Sequence, residues 1–244
     1  MSADMGLDRI RGVLVRQEET ILFALIERAR FRRNAPIYKR GALGPVPGGL
    51  SLVEFCLRET EAVHARMRRY TSPDEHPFFD DLPEPILPAL AFADNPLQPN
   101  RVNVNRELYA TYRDAVVPLI CEEGDDEQYG SSSVCDVACL QSLSQRVHYG
   151  KFVAESKRRA RPAIFDGLVR ARDGAGLMQA ITDAAVERAV LERVRKKATT
   201  YTRELNAASS GHVPEPEQIV EIYRRWLMPM NKQVQVAYLL EAER

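Results

Sequence analysis

Long apolar runs are missing from this sequence. No stretch among its 244 residues approaches the roughly 18 consecutive apolar residues that a membrane-crossing helix needs, and the opening MSADMGLDRIRG has no apolar signal core. Membrane spanning and secretion are therefore not expected, and a cytoplasmic location is, with a plastid as the alternative if a transit peptide has been removed. An excess of one charge is missing as well. Lys plus Arg equals Asp plus Glu at 34 each, so no global field favours nucleic acid or an anionic membrane, and an anionic ligand has to be held by local charge. Cysteine is sparse: of Cys56, Cys121, Cys135 and Cys139 only the last two stand at i,i+4, and nothing completes a tetrahedral set. No metal and no cofactor are expected, and free thiols in a reducing compartment account for all four. Alternating β-branched runs, internal repeats and low-complexity tracts are absent too.

What is present is helical periodicity. With 45% apolar residues the chain can bury a large core, and we expect one domain over 1–244. Leu7, Ile10, Leu14, Ile21 and Leu25 form one apolar stripe of a first helix. GALGPVPGG (41–49) ends it, and Ser51 with Glu54 reads as a capping box opening a helix to about Arg69. Seven of the 15 prolines fall between Pro73 and Pro99, which predicts a long extended connection packed by Phe78, Phe79, Ile86 and Leu87. Further helices are expected at about 105–120, from the serines of 131–133 to about Arg159, over 162–179, and at about 182–206 and 217–242, the last two split by ASSGHVPEP (208–216). The fold class is all-α, with about 10–12 helices.

Several of these helices carry ionisable groups on faces that should be buried, where an unpaired charge costs several kcal/mol. The stripe Cys139, Leu143, Arg146, Gly150, Val153, Lys157 contains two cations. They are eleven residues apart, about 16 Å along a helix, so their long side chains can converge on one anion. Asp183 and Glu187 sit at i,i+4 on a stripe continued by Leu191, Val194 and Ala198, and Asn231 and Gln235 interleave with Leu227, Met230, Val234 and Tyr238. Arg11 lies between Ile10 and Leu14. Taken singly, each is more readily a member of an ordinary buried polar network, Arg or Lys against Asp or Glu, tying helices together. Four helices sharing the pattern favour a polar pocket inside a bundle, fitted to an anionic ligand that also offers a hydroxyl.

The segments IRGVLVRQEETILFALIERARF (10–31), RRYTSPDEHPFF (68–79) and CLQSLSQRVHYGKFVAESK (139–157) resemble the signature stretches of fungal and plant chorismate mutases of the all-helical class. The resemblance runs in order from Leu7 to about Leu240. It implies a homodimer of all-helical protomers, each with an active site within a four-helix bundle, that rearranges chorismate to prephenate in phenylalanine and tyrosine biosynthesis without a cofactor. By the resemblance, Arg11 and Arg146 grip the substrate carboxylates, Lys157 serves a carboxylate and the ether oxygen, Glu187 accepts from the ring hydroxyl, and Gln235 stands where yeast-like enzymes carry a glutamate directed at the ether oxygen. Asn231 replaces a threonine and Asp183 an asparagine; both are expected to bind substrate. Arg68 and Arg69, with Gly130 and Ser131 of the partner subunit's equivalent turn, match a site for an aromatic amino acid effector, Tyr, Trp or Phe.

The implied reaction breaks a C–O bond as a C–C bond forms and transfers no proton, so the absence of any nucleophile or base motif agrees with it. Because the amide of Gln235 always carries donors, activity should be nearly flat around neutral pH, and Gln235→Glu should create an acidic optimum. Two other readings fit the same residue pattern: an isochorismate-pyruvate lyase, and a non-catalytic binding protein on the same scaffold.

Overall fold

The computed structural model describes residues 7–88, 95–208 and 212–241; the side chains of 7–8, among them Leu7, and of 205–208, part of the proline-rich connection (89–94) and part of the second breaker (209–211) lie outside the description. Among the described residues there are eleven α-helices and no strand. They are α1 (Leu7–Ala29), α2 (Leu52–Arg66), α3 (Asn105–Thr111), α4 (Val117–Ile120), α5 (Tyr129–His148), α6 (Gly150–Ala160), α7 (Pro162–Arg170), α8 (Gly174–Ile181), α9 (Ala184–Ala208), α10 (Pro216–Ile222) and α11 (Met228–Glu241).

The capping box forms as the sequence predicts. Ser51 Oγ accepts the Glu54 N–H at 3.3 Å and a Glu54 carboxylate oxygen accepts the Ser51 N–H at 2.8 Å, satisfying two donors that the first turn of a helix leaves open. The serines of 131–133 do not cap α5. That helix already starts at Tyr129, and Ser133 instead donates to the Tyr129 carbonyl. The helices expected at 105–120 and 217–242 are each interrupted by a π-turn, at Tyr112–Val116 and Tyr223–Leu227. Both π-turns lie just ahead of a proline, Pro118 and Pro229. A proline inside a helix has no N–H to give and its ring crowds the carbonyl four residues back, and the widened turn accommodates this without ending the helix.

The connection after α2 is held both by α2 and, through the Asn105 amide on the carbonyls of His76 and Pro77, by α3. Glu61, buried on α2, accepts the N–H groups of Phe78 and Phe79 at 2.9 and 3.2 Å, and both rings pack on the core. Ile86 and Leu87 do not pack as expected; they are 76% and 44% exposed. They are flanked by Pro85 and Pro88, whose fixed φ keeps the backbone extended there.

α5 packs on α1, α2, α3 and α11, and α11 reaches α6 and α8. One buried polar network ties the first of these together. Arg28 on α1 donates Nε to Asp136 on α5 at 2.6 Å, Tyr38 and Tyr112 each donate to the same carboxylate at 2.7 Å, and the remaining guanidinium N–H groups reach carbonyls of Phe31, Arg32 and Arg33. Every charge in it has a partner, which is what full burial demands.

Candidate active site

α5 and α6 are nearly one helix, broken at Tyr149. The break has an identifiable cause. Asn231 on α11 inserts its amide, donating Nδ2 to the carbonyls of Arg146 and Val147 at 3.2 and 3.0 Å, so that carbonyls near the kink are bonded from outside the helix. The approach is possible because position 150 is glycine. A Cβ there would stand 2.8 Å from the Asn231 carbonyl oxygen and 2.9 Å from its Nδ2.

Beside this kink lies a cavity of about 420 Å³, a volume in the range of small-molecule sites. It is bounded by α1, α5, α6, α9 and α11, and all seven residues expected to meet substrate line it: Arg11, Arg146, Lys157, Asp183, Glu187, Asn231 and Gln235. Two cations that the sequence reading did not single out, Arg161 and Lys232, complete the lining, so five cationic side chains face two carboxylates. Arg161 was legible, standing four residues after Lys157 on the same stripe. Lys232 directly follows Asn231, off the i,i+4 pattern, and only the fold, which sets α11 across the cavity from Glu187 on α9, brings it in.

The side chains are held unequally. Arg146 and Gln235 are buried, and Arg146 Nε and Gln235 Oε1 have no hydrogen-bond partner. Burial pushes the Arg146 guanidinium below its ordinary pKa, against the attraction of Tyr223 and Glu18. Lys157 is half-buried and gives one N–H to the Ile181 carbonyl at 2.5 Å, leaving two donors. Desolvation, with Arg161 adding repulsion, pushes its ammonium down to about 8, although Asp183 and Glu187 oppose the shift. Glu187 is bridged by Lys232 at 2.9 Å. Asp183 lines the cavity, but its carboxylate accepts the N–H groups of Ala185 and Val186 at 3.0 and 3.1 Å, so it is the N-cap of α9. Asn231 is likewise committed, and its Oδ1 accepts from Gln235 Nε2 at 2.8 Å. Arg11 is exposed at the rim.

A cavity of this kind can bind an anion bearing more than one charge and aim donors at it. A buried guanidinium with an unspent donor is costly when nothing is bound and strongly attractive to a carboxylate.

The second predicted cluster lies elsewhere. Arg68 has a left-handed backbone (φ 56°) and donates to the Pro88 carbonyl; Arg69 pairs with Glu75 at 3.1 Å and lies 3.2 Å from His64 Nδ1. Gly130 and Ser131 are exposed in the first turn of α5, where backbone N–H groups lack intrahelical acceptors. Exposed apolar side chains flank both halves. Val63 on α2 and Met67 at its C-terminal cap precede Arg68, and Val134 is one turn beyond Ser131.

Comparison with known proteins gives consistent results. Residues 128–236 match the family model described as chorismate mutase type II. The chain is 46% identical to the chorismate mutase of Schizosaccharomyces pombe over 242 residues, covering 97% of this chain and 96% of that protein. A crystal structure of chorismate mutase from Candida albicans in complex with L-Trp superposes with a TM-score of 0.91 at 38% identity, covering 97% of this chain and 91% of that one. The structure of AtCM1 with tyrosine bound in its allosteric site gives a TM-score of 0.85 at 42% identity, covering 98% and 97%. Further relatives are named as chloroplastic or cytosolic forms.

Proposed function

The chain belongs to the type II chorismate mutases, isomerases that rearrange chorismate to prephenate, and on that premise we propose that the cavity between α1, α5, α6, α9 and α11 is its active site. The observation that carries the reading is the buried Arg146 with an unpartnered Nε, sharing one cavity with Lys157 and Gln235. The substrate is a dianion with a ring hydroxyl and an enol-ether oxygen. Arg146 from the bundle interior and Arg11 from the rim take its two carboxylates, which holds the chain over the ring in the compact conformer that reacts. Glu187, kept in place by Lys232, accepts from the ring hydroxyl.

As the C–O bond lengthens, negative charge grows on the ether oxygen, and Lys157 and the Gln235 amide are the donors available to it. A fixed donor that meets charge only as it develops lowers the barrier without tightening ground-state binding. A millionfold acceleration requires about 8 kcal/mol, and two donors of this kind at about 3–4 kcal/mol each supply most of it. Asp183 caps α9 through one carboxylate oxygen, Oδ1, and offers the other to substrate from the cavity wall. The test is prephenate formation from chorismate by wild type, Arg146→Ala and Lys157→Ala. Loss of most turnover in both variants with the helical signal intact is expected, and near wild-type kcat/KM in either defeats the assignment. Release of pyruvate from isochorismate in place of prephenate formation identifies the lyase reading, and family membership weighs against both that and a non-catalytic role.

The second cluster is proposed as an effector site for Tyr, Trp or Phe, completed across a homodimer. The relatives solved with L-Trp and with tyrosine in an allosteric site support it, as do the exposed Val63, Met67 and Val134 beside each half. Catalytic and regulatory parts then share one domain over 1–244, and we place the enzyme in the cytoplasm.

A further inference from the structure

We infer that Asn231, anchored on the carbonyls of Arg146 and Val147, is a positioning residue that fixes the orientation of the Gln235 amide. The inference rests on the reading of Gln235 as a donor to the ether oxygen. The argument is one of hydrogen-bond bookkeeping. The Asn231 atom lying 3.2 and 3.0 Å from the carbonyl oxygens of Arg146 and Val147 has to be a donor, because carbonyls only accept. The other atom of that amide is then an oxygen, so the Gln235 atom 2.8 Å from it has to be nitrogen. No flipped arrangement works. Turning Gln235 sets two acceptors against each other, and turning Asn231 places its oxygen against two carbonyls. Gln235 therefore spends one Nε2 hydrogen on Asn231 and keeps the second, with its unpartnered Oε1, for the cavity.

This arrangement changes what a carboxyl at position 235 can do. A neutral carboxylic acid has a single O–H, and Asn231 Oδ1 is the nearest acceptor, so the proton is spent there and none is left for the substrate. Ionised, the group opposes two acceptors at the same 2.8 Å separation. Gln235→Glu alone is then inactive at acid and neutral pH alike, and the acidic optimum expected from sequence appears only when position 231 is changed with it. A threonine hydroxyl both donates and accepts, so Asn231→Thr frees the acid proton for the ether oxygen. Around this group stand Arg11 from α1, Arg146 from α5, Lys157 from α6, Arg161 just after it, Asp183 and Glu187 at α9 and Lys232 on α11. None of these groups differs between the single and the double variant, which share the carboxyl at 235 and differ only at position 231.

The experiment measures kcat and KM from pH 5 to 9 for Gln235→Ala, Gln235→Glu and Asn231→Thr/Gln235→Glu. Gln235→Ala is expected to lower kcat about 100-fold with KM changed less than about threefold, as for loss of a transition-state donor. Gln235→Glu should fall as far without recovery at acid pH, and the double variant should exceed it at least about tenfold below pH 6. An acid limb in Gln235→Glu alone overturns the inference, and that profile decides the matter even where the double variant does not fold; a folded double variant without the acid gain overturns it too. Wild-type kcat in Gln235→Ala fails the underlying assignment of Gln235, a distinct result.

Discussion

Arg146→Met is expected to act in opposite directions on activity and on stability. In the wild type the guanidinium is buried, its pKa is pushed down by desolvation, and its Nε has no hydrogen-bond partner. The nearby Glu18 is already taken by Arg193 at 2.6 and 2.8 Å and by Lys197 at 3.5 Å, so it gives Arg146 only longer-range compensation. Replacing buried charge by an apolar side chain of similar length is worth about 1–4 kcal/mol in favourable cases, and Glu18 brings that toward about 1–3. At about 2–4 °C per kcal/mol for a chain of this size, Tm rises by about 2–12 °C. Activity moves the other way, because removing a donor aimed at developing or bound charge costs on the order of 100- to 1000-fold. Thermal melts and prephenate assays on the same preparations read both quantities. Ligand linkage adds a third: a substrate-like dicarboxylate at about 100 times its Kd stabilises wild type by about 2.7 kcal/mol and should leave the variant almost unmoved. Destabilisation by more than about 2 kcal/mol would refute the reasoning, since it would make Arg146 a structural ion-pair partner.

The lowered pKa of Lys157, about 8 in the open cavity, predicts that kcat/KM is flat around neutrality and falls tenfold per unit above about pH 8, as the ammonium that the dianion needs is lost. The alkaline limb of kcat should lie higher, because bound substrate favours the charged form, and a kcat/KM profile that stays flat to pH 10 contradicts this. Lys232→Gln removes the 2.9 Å bridge to Glu187; kcat/KM should drop about 3- to 10-fold, the cost of a partly exposed charged contact, with Lys232→Arg restoring most of it. For the effector site, calorimetry should detect binding of at least one of Tyr, Trp and Phe to wild type and none to Arg69→Ala; no heat with wild type makes the site a relic, and binding that survives the substitution puts the effector elsewhere.

The helices were legible because each buries one face, and burial writes a period into the sequence that 3.6 residues per turn can read. The capping box was legible for the same local reason, its two bonds closing within four residues. The π-turns were not. Pro118 and Pro229 announce a disturbance, but whether a helix stops, kinks or widens depends on what packs around it, here the buried rings of Tyr112 and Tyr223. At the site, the seven residues gathered in the cavity stood out as charges or amides on apolar stripes. Their partners did not. That Asp183 is an N-cap follows from where α9 begins, and that Asn231 holds backbone across a kink follows from α11 meeting the start of α6 at Gly150, a contact between residues 81 positions apart.

Arg28 and Arg146 show why a stripe pattern alone leaves a two-way choice. Both are arginines on inward faces, both are buried, and the helices that carry them, α1 and α5, pack on each other. Arg28 meets Asp136, three carbonyls and Tyr38, and its pKa is raised, the partners outweighing desolvation. For Arg146 desolvation wins, and the pKa is lowered. The first arrangement is complete without a ligand and has nothing left to bind one. The second is incomplete as folded, and the groups that would complete it are those of a carboxylate entering the cavity. Burial is therefore not what separates a structural charge from a functional one in this bundle; the sign of the imbalance between desolvation and compensation is, and that sign is set by partners distant in the chain.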